Sequence, residues 1–170
     1  MSSWTTLTDR CLSPKVLRMH RIDKFQKAVS PTAIELHVAW QEDQRAKGTT
    51  SYLAFTLDDA WVKKNARDDN MIDLLELSYG QLPIDWRLEY QDDARSCVNY
   101  YGKQSNIMAI TPEQQFERCC VAVYRGRVQR AKFPYLNLPF AQLPDEDRQS
   151  VERTVTTFLK NLNQIYGEIP

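Results

Sequence analysis

The sequence predicts a mainly α-helical protein of two similar helix-turn-helix halves, with a short extended insertion in the first half. Three observations predict it. Apolar residues recur at three- and four-residue spacing in four long stretches, each opened by a proline or a capping residue. Glycine is scarce, 5 of 170 residues, which excludes glycine-linker and glycine-loop-rich designs. A segment also recurs at an offset of 61 residues. Leu77-Ser-Tyr-Gly-Gln-Leu-Pro-Ile-Asp-Trp-Arg87 lies over Leu138-Pro-Phe-Ala-Gln-Leu-Pro-Asp-Glu-Asp-Arg148.

Taken in order, residues 1–30 form a basic N-terminal arm, with six basic residues against two acidic ones. The first helix takes Ser30 as N-cap and Pro31 at the first helical position, where a missing N–H costs nothing. Gly48 stops it, and its apolar stripe is Ala33, Leu36, His37 and Trp40. The insertion spans 48–70. Leu53, Phe55 and Leu57 alternate there with Ala54 and Thr56, which reads as a short strand, and Asp58 to Lys64 reads as one or two helical turns with Trp61 inward. The second helix opens at Pro83, with Asp85 answering the positive end of the helix dipole. Thr111, Pro112 and Gln114 give the third helix a capping box, and Phe116, Cys119, Cys120 and Val123 give it a stripe. The fourth begins at Pro144 with three acids in its first turn and buries Val151, Val155, Phe158, Leu159 and Leu162. The halves are therefore 31–105 and 106–170.

The recurring segment has a physical meaning. An aromatic (Tyr79, Phe140) and a leucine (Leu82, Leu143) precede a proline that fixes φ for the helix that follows, and can pack back on its first turns. The unit resembles the ryanodine-receptor repeat domain, a small helical module of calcium-release channels and of various bacterial and phage proteins. Leu36-His37-Val38-Ala39-Trp40 matches the first part of that pattern, and the two Leu-x-aromatic-x-x-Leu-Pro segments match the second. The chain departs from it where Val38 replaces a glutamate, where a G-W-x-Y-G stretch is missing, and in a third helix without His or Trp. Trp61, 25 residues before Trp86, is a second counterpart for the family tryptophan. The resemblance implies an appended interaction module.

Composition narrows the function classes. Lys plus Arg equals Asp plus Glu at 22 each, so the chain lacks the basic excess of a general nucleic-acid binder. No apolar run approaches the roughly 18 residues of a membrane helix, and the first residues lack the pattern of a secretory leader. Cys11, Cys97, Cys119 and Cys120 form no C-x-x-C pair and read as small buried thiols of a reduced, cytoplasmic protein, with no metal or cofactor expected. Charge is zoned: net −5 over residues 58–95 and +4 over residues 101–135. Such zones read as solvated faces packed on one another, with a charged binding surface as the alternative.

The candidate ligand- or partner-binding residues are His37, Trp40, Trp61, Tyr79, Arg125, Arg127, Arg130, Lys132 and Tyr135. His37 and Trp40 share a stripe that suits a hydrogen bond plus stacking, or an interior histidine beside a core tryptophan. The arginines and Lys132, interleaved with aromatics, suit phosphate or an acidic partner, or a basic helix end that answers the dipole. Asp92-Asp93 and Asp68-Asp69 read as solvated surface. No nucleotide-loop, nucleophile-elbow or zinc-protease motif occurs. The expectation is a non-enzymatic adaptor acting through a protein partner or self-association, in a phage or bacterial host-interaction setting. The alternative is a nucleotide sensor or sponge, with the ligand between the halves on Trp40, Trp61, Tyr79, Arg127 and Arg130.

Overall fold

The computed structural model describes residues 21–103, 110–131 and 138–167. It is mainly α. The helices are α1 (Val29–Ala46), α2 (Asp59–Lys64), α3 (Ile84–Lys103), α4 (Pro112–Ala131) and α5 (Asp145–Tyr166). Two short strands, β1 (Leu53–Phe55) and β2 (Met71–Asp73), pair antiparallel with Ala54 opposite Ile72. The predicted strand is thus present, and it pairs with a second strand, β2, that the sequence pattern does not mark. Most of the arm, residues 1–20, lies outside the described residues, while 21–26 are helical and lay Ile22 and Phe25 on the core.

Four long helices share one core. Ala28 and Val29 meet Ala94, Cys97 and Val98 of α3, Cys119, Cys120 and Val123 of α4, and Val151, Val155, Phe158 and Leu162 of α5. Helix α1 packs on both α3 and α5, so the core crosses the position where the two halves join in sequence. A second, smaller cluster of Ile72, Leu74 and Leu82 sits under the hairpin, walled by Trp40, Trp61, Tyr79, Trp86 and Tyr90.

The first cap differs from expectation. Helix α1 starts at Val29, Ala28 occupies the cap position, and no side chain caps it. The helical turn at 21–26 runs almost directly into α1, with Ala28 N–H bonded to Phe25 O at 3.0 Å, and Ala28 and Val29 buried in the core. Packing therefore set the start two residues earlier than the Ser30-Pro31 signal. Pro31 still falls in the first turn, where its absent N–H is one of the unpaired donors of any helix start. The other signals hold. Gly48 ends α1 at φ +80, the left-handed turn glycine supplies cheaply. Thr111 accepts from the Gln114 N–H at 3.2 Å while Gln114 accepts from the Thr111 N–H at 3.1 Å.

The recurrence at offset 61 is a recurrence of structure. Tyr79–Gln81 and Phe140–Gln142 are matching 3-10 turns, closed by Leu82 N–H to Tyr79 O and Leu143 N–H to Phe140 O, each at 3.2 Å. Leu82 (φ −62, ψ 146) and Leu143 (φ −64, ψ 149) adopt nearly one conformation, both are buried, and each hands the chain through a proline into a long helix. Their surroundings differ. Tyr79 sits against Tyr90 and His37, whereas Phe140 packs on Tyr124 of α4.

Candidate functional site

His37 is fully buried and serves as a structural polar anchor. Its Nε2 lies 2.8 Å from Leu77 O, which can only accept, so Nε2 carries the proton and Nδ1 accepts from the Tyr90 hydroxyl at 3.1 Å. Burial lowers its pKa below the ordinary 6.5, against the Leu77 hydrogen bond, so the ring stays neutral. One and two turns further along α1, Gln41 donates to the carbonyls of Leu74 and Leu77 at 2.9 Å, and Arg45 to Leu75 O at 2.7 Å. This His37–Gln41–Arg45 row satisfies the carbonyls of an irregular buried stretch that has no strand or helix to pair with. Of the two readings of His37, the interior one describes its position. Trp40, one turn from it, stacks on the His37 ring at 6.1 Å and meets Tyr52 edge-on at 5.0 Å.

The arginines of α4 divide. Arg127 donates from Nε to Asp93 Oδ2 at 2.8 Å and also reaches Ser150 and Thr154 of α5, each at 3.1 Å, while Arg130 pairs with Asp93 Oδ1. Asp93, expected on solvated surface, is only 8% exposed, because two guanidinium groups replace the water its charge would otherwise need. Arg125 is exposed beside a shallow apolar dip formed by Val121, Val128, Leu138 and Phe140. Lys132 and Tyr135 lie outside the described residues.

The candidate nucleotide contacts do not gather at one place. A cleft of about 270 Å³ between α1, α3 and α5 is lined by Trp40 and Arg127, but Trp61, Tyr79 and Arg130 are not part of it. Four acids (Asp43, Asp93, Glu146, Asp147) face three bases there, and ion pairs Lys47–Glu146 and Arg153–Asp43 tie α1 to α5 across it. Tyr79 is held by the Gln91 amide, which donates to its hydroxyl at 2.9 Å. Trp61 closes the base of α2 by donating from Nε1 to Gln81 O at 2.9 Å.

A face that the candidate residues did not include lies along β1 and the start of α3. An alternating strand ordinarily buries its larger apolar set. Here the small residues Ala54 and Thr56 turn inward, and Leu53, Phe55 and Leu57 are 65%, 58% and 79% exposed. Polar contacts fix this inverted strand. Asp85 accepts from the Thr56 hydroxyl at 2.8 Å and the Leu57 N–H at 2.7 Å, and Trp86 donates from Nε1 to Phe55 O at 3.1 Å. Asp58 accepts from the N–H groups of Trp61 and Ile84 at 2.9 and 3.0 Å, which lowers its pKa and pins the next turn to α3. Phe55 and Leu57, with Trp40, Trp86 and Tyr90, wall an open groove of about 770 Å³. Glu89 stands at its rim, where partial desolvation raises its pKa, and forms no ion pair or hydrogen bond among the described residues. The L-A-F-T-L alternation marked these positions in sequence. Which of its two faces looks outward was set by Asp85 and Trp86.

The cysteines offer little nucleophilic chemistry. Cys97, Cys119 and Cys120 are buried free thiols. Burial pushes the Cys120 thiol up to about 12, and Cys97 is held well above its usual value by its hydrogen bond with Cys119 and by burial, so both stay protonated at neutral pH. Among the described residues no group of three or more His, Cys, Asp or Glu side chains is arranged to hold a metal ion, and no helix is long and apolar enough to cross a membrane. Comparison with protein families, with curated proteins and with solved structures finds no match to this chain.

Proposed function

We propose that the chain is a non-enzymatic binding module that receives an amphipathic helix of a partner protein on the β1–α3 face. The observation that carries the reading is the inverted strand: three large apolar side chains face water on a segment whose backbone is fixed by Asp85 and Trp86. Large exposed apolar groups held in place are a feature of recognition surfaces. A strand is a poor occupant, because the Phe55 carbonyl of β1 and the Leu57 N–H just beyond it are already bonded to α3. A helix presenting apolar side chains one turn apart fits a groove walled by Trp40, Phe55, Leu57 and Trp86, and a lysine or arginine beside them would meet Glu89.

The ryanodine-receptor-repeat resemblance supports the same class of function, since such modules serve as appended interaction units; a phage or bacterial host-interaction setting is part of this proposal. Three buried free thiols suit a reducing, cytoplasmic compartment. The acidic and basic zones, by contrast, meet within one chain at Asp93, which weakens the case for head-to-tail self-association through them.

Selection of displayed helical peptides on the full chain tests the proposal. Peptides with paired apolar residues and an adjacent base should be enriched, and should lose affinity at least about tenfold on Leu57→Ser and on Glu89→Lys, whose melting temperatures should barely change. Enriched peptides that bind Leu57→Ser as tightly as the parent would overturn it. So would a stable dimer in light scattering that Leu57→Ser dissolves, because a second copy would then be the occupant.

A further inference from the structure

A second feature concerns charge. Residues 58–95 carry ten acids and only five bases, Lys63, Lys64, Arg67, Arg87 and Arg95. Three of those five, Lys64, Arg67 and Arg87, line a single hollow of about 420 Å³, together with Trp61, Asn65, Leu77, Gly80, Gln81 and Leu82. No carboxylate lines it. Chance placement in so acidic a stretch would put acids around such a hollow. Nor are its cations spent on one another's neighbours. None of the three forms a salt bridge among the described residues, and Lys64 and Arg87 make no side-chain hydrogen bond there. The acid that feels Arg87 is Asp58, whose two oxygens already accept from Trp61 and Ile84.

The walls are held in place. Trp61 is tied to the 3-10 turn through Gln81 O, and Asn65 donates back to Trp61 O at 2.8 Å. Gln81 is fixed in turn, because its side chain accepts from Ser78 N–H and hydroxyl at 3.0 and 2.9 Å. Arg67 lies over the Trp61 ring at 5.2 Å and donates to Met71 O at 3.2 Å, which leaves the rest of its guanidinium donors for a ligand. Two guanidinium groups and an ammonium around a hollow that no carboxylate lines match the charge of a phosphate group. A bare phosphate would leave most of the hollow empty, whereas its volume lies in the range of small organic ligands. Trp61 supplies an aromatic wall for the remainder.

We propose that this hollow binds a nucleoside monophosphate, with the phosphate on Lys64, Arg67 and Arg87 and the base toward Trp61. The site is separate from the pair Arg127–Arg130, both of which are bonded to Asp93, and it shares no lining residue with the groove of the β1–α3 face.

The test is titration of the full chain with AMP, GMP, CMP and UMP, with adenosine and sodium phosphate at matched ionic strength, read by tryptophan fluorescence and calorimetry. At least one monophosphate should bind saturably at micromolar to millimolar concentration. Its nucleoside and bare phosphate should each bind at least about tenfold more weakly. Arg67→Gln and Arg87→Gln should each lower affinity about tenfold or more, while Arg118→Gln, an exposed α4 cation outside the hollow, should leave it unchanged. Lys64→Gln alters an exposed side chain and keeps the test decisive if either arginine variant fails to fold. Absence of saturable binding by all four nucleotides would overturn the proposal, as would equal affinity for bare phosphate or an affinity unmoved by Lys64→Gln. Retention of nucleotide binding by Leu57→Ser would show that the hollow acts independently of the helix-binding face.

Discussion

Arg127 on α4 is bonded through Nε to Oδ2 of Asp93 on α3 at 2.8 Å, so the basic and acidic zones of the sequence meet inside one chain. Arg130 takes the other oxygen of the same carboxylate, and Arg127 continues to Ser150 and Thr154 on α5. One carboxylate thereby links three helices. Asp93→Asn should cost about 2–4 kcal/mol, because two arginines are left without a countercharge in a half-buried place. Changing Arg127 and Arg130 together to Gln should cost a similar amount by stranding Asp93, more than the ~1 kcal/mol expected of cations that merely serve a helix end. Urea denaturation of the three proteins measures both. An unchanged midpoint in Asp93→Asn would show that the triad adds nothing to stability.

Acid sensitivity should begin with His37. The folded ring is neutral and its pKa lies below the 6.5 of an unfolded chain, chiefly through burial. Below about pH 6.5 the unfolded chain therefore binds a proton that the fold excludes, so stability is complete above that pH and declines as pH falls. The melting temperature should drop between about pH 7 and about pH 5. His37→Gln should begin lower, since it disturbs the bonds to Leu77 and Tyr90, but should show a flatter profile over that interval.

Gly102 should not tolerate alanine. A Cβ there would stand 2.5 Å from Cγ1 of Ile22, in the helical segment that precedes α1. An ordinary Gly-to-Ala change inside a helix gains up to about 1 kcal/mol. At this position overpacking should reverse the sign, for a net loss of about 1–2 kcal/mol. Hydrogen exchange should accelerate in residues 21–28, and Ile22→Ala in the same chain should restore most of the loss. Unaltered exchange there would mean that Ile22 yields without cost.

The two N-cap signals in the sequence should behave differently when mutated. Thr111→Ala removes an acceptor that the Gln114 N–H uses at 3.2 Å and should cost about 1 kcal/mol. Ser30→Ala should change stability by less than about 0.5 kcal/mol, because Ser30 lies inside α1 and caps nothing. Thermal denaturation of the two variants side by side decides the matter.

Legibility in the sequence followed the range of the forces involved. The capping box at Thr111, the glycine stop at Gly48, the acidic start of α5 and the paired Leu-Pro turns are settled by groups a few residues apart, and all four are legible in the sequence. The start of α1 lies two residues before its Ser30-Pro31 signal for the converse reason: burial of Ala28 and Val29 against α3, α4 and α5 outweighs a local capping preference.

The sequence by itself determined the helices, the alternation of β1 and the repeated turn, because hydrophobic period and backbone chemistry act locally. Only the tertiary structure decided which face of β1 meets water, that Asp93 would be buried between Arg127 and Arg130, and that Lys64, Arg67 and Arg87 would meet around one hollow. The first two outcomes depend on residues about thirty positions apart being brought within hydrogen-bond reach, and the third on α2 and the start of α3 lying side by side. Alternation says that two faces differ, and charge zoning says that opposite signs exist. Which side chain finds which partner is set by packing, where an unpaired buried polar group costs more than any local preference returns.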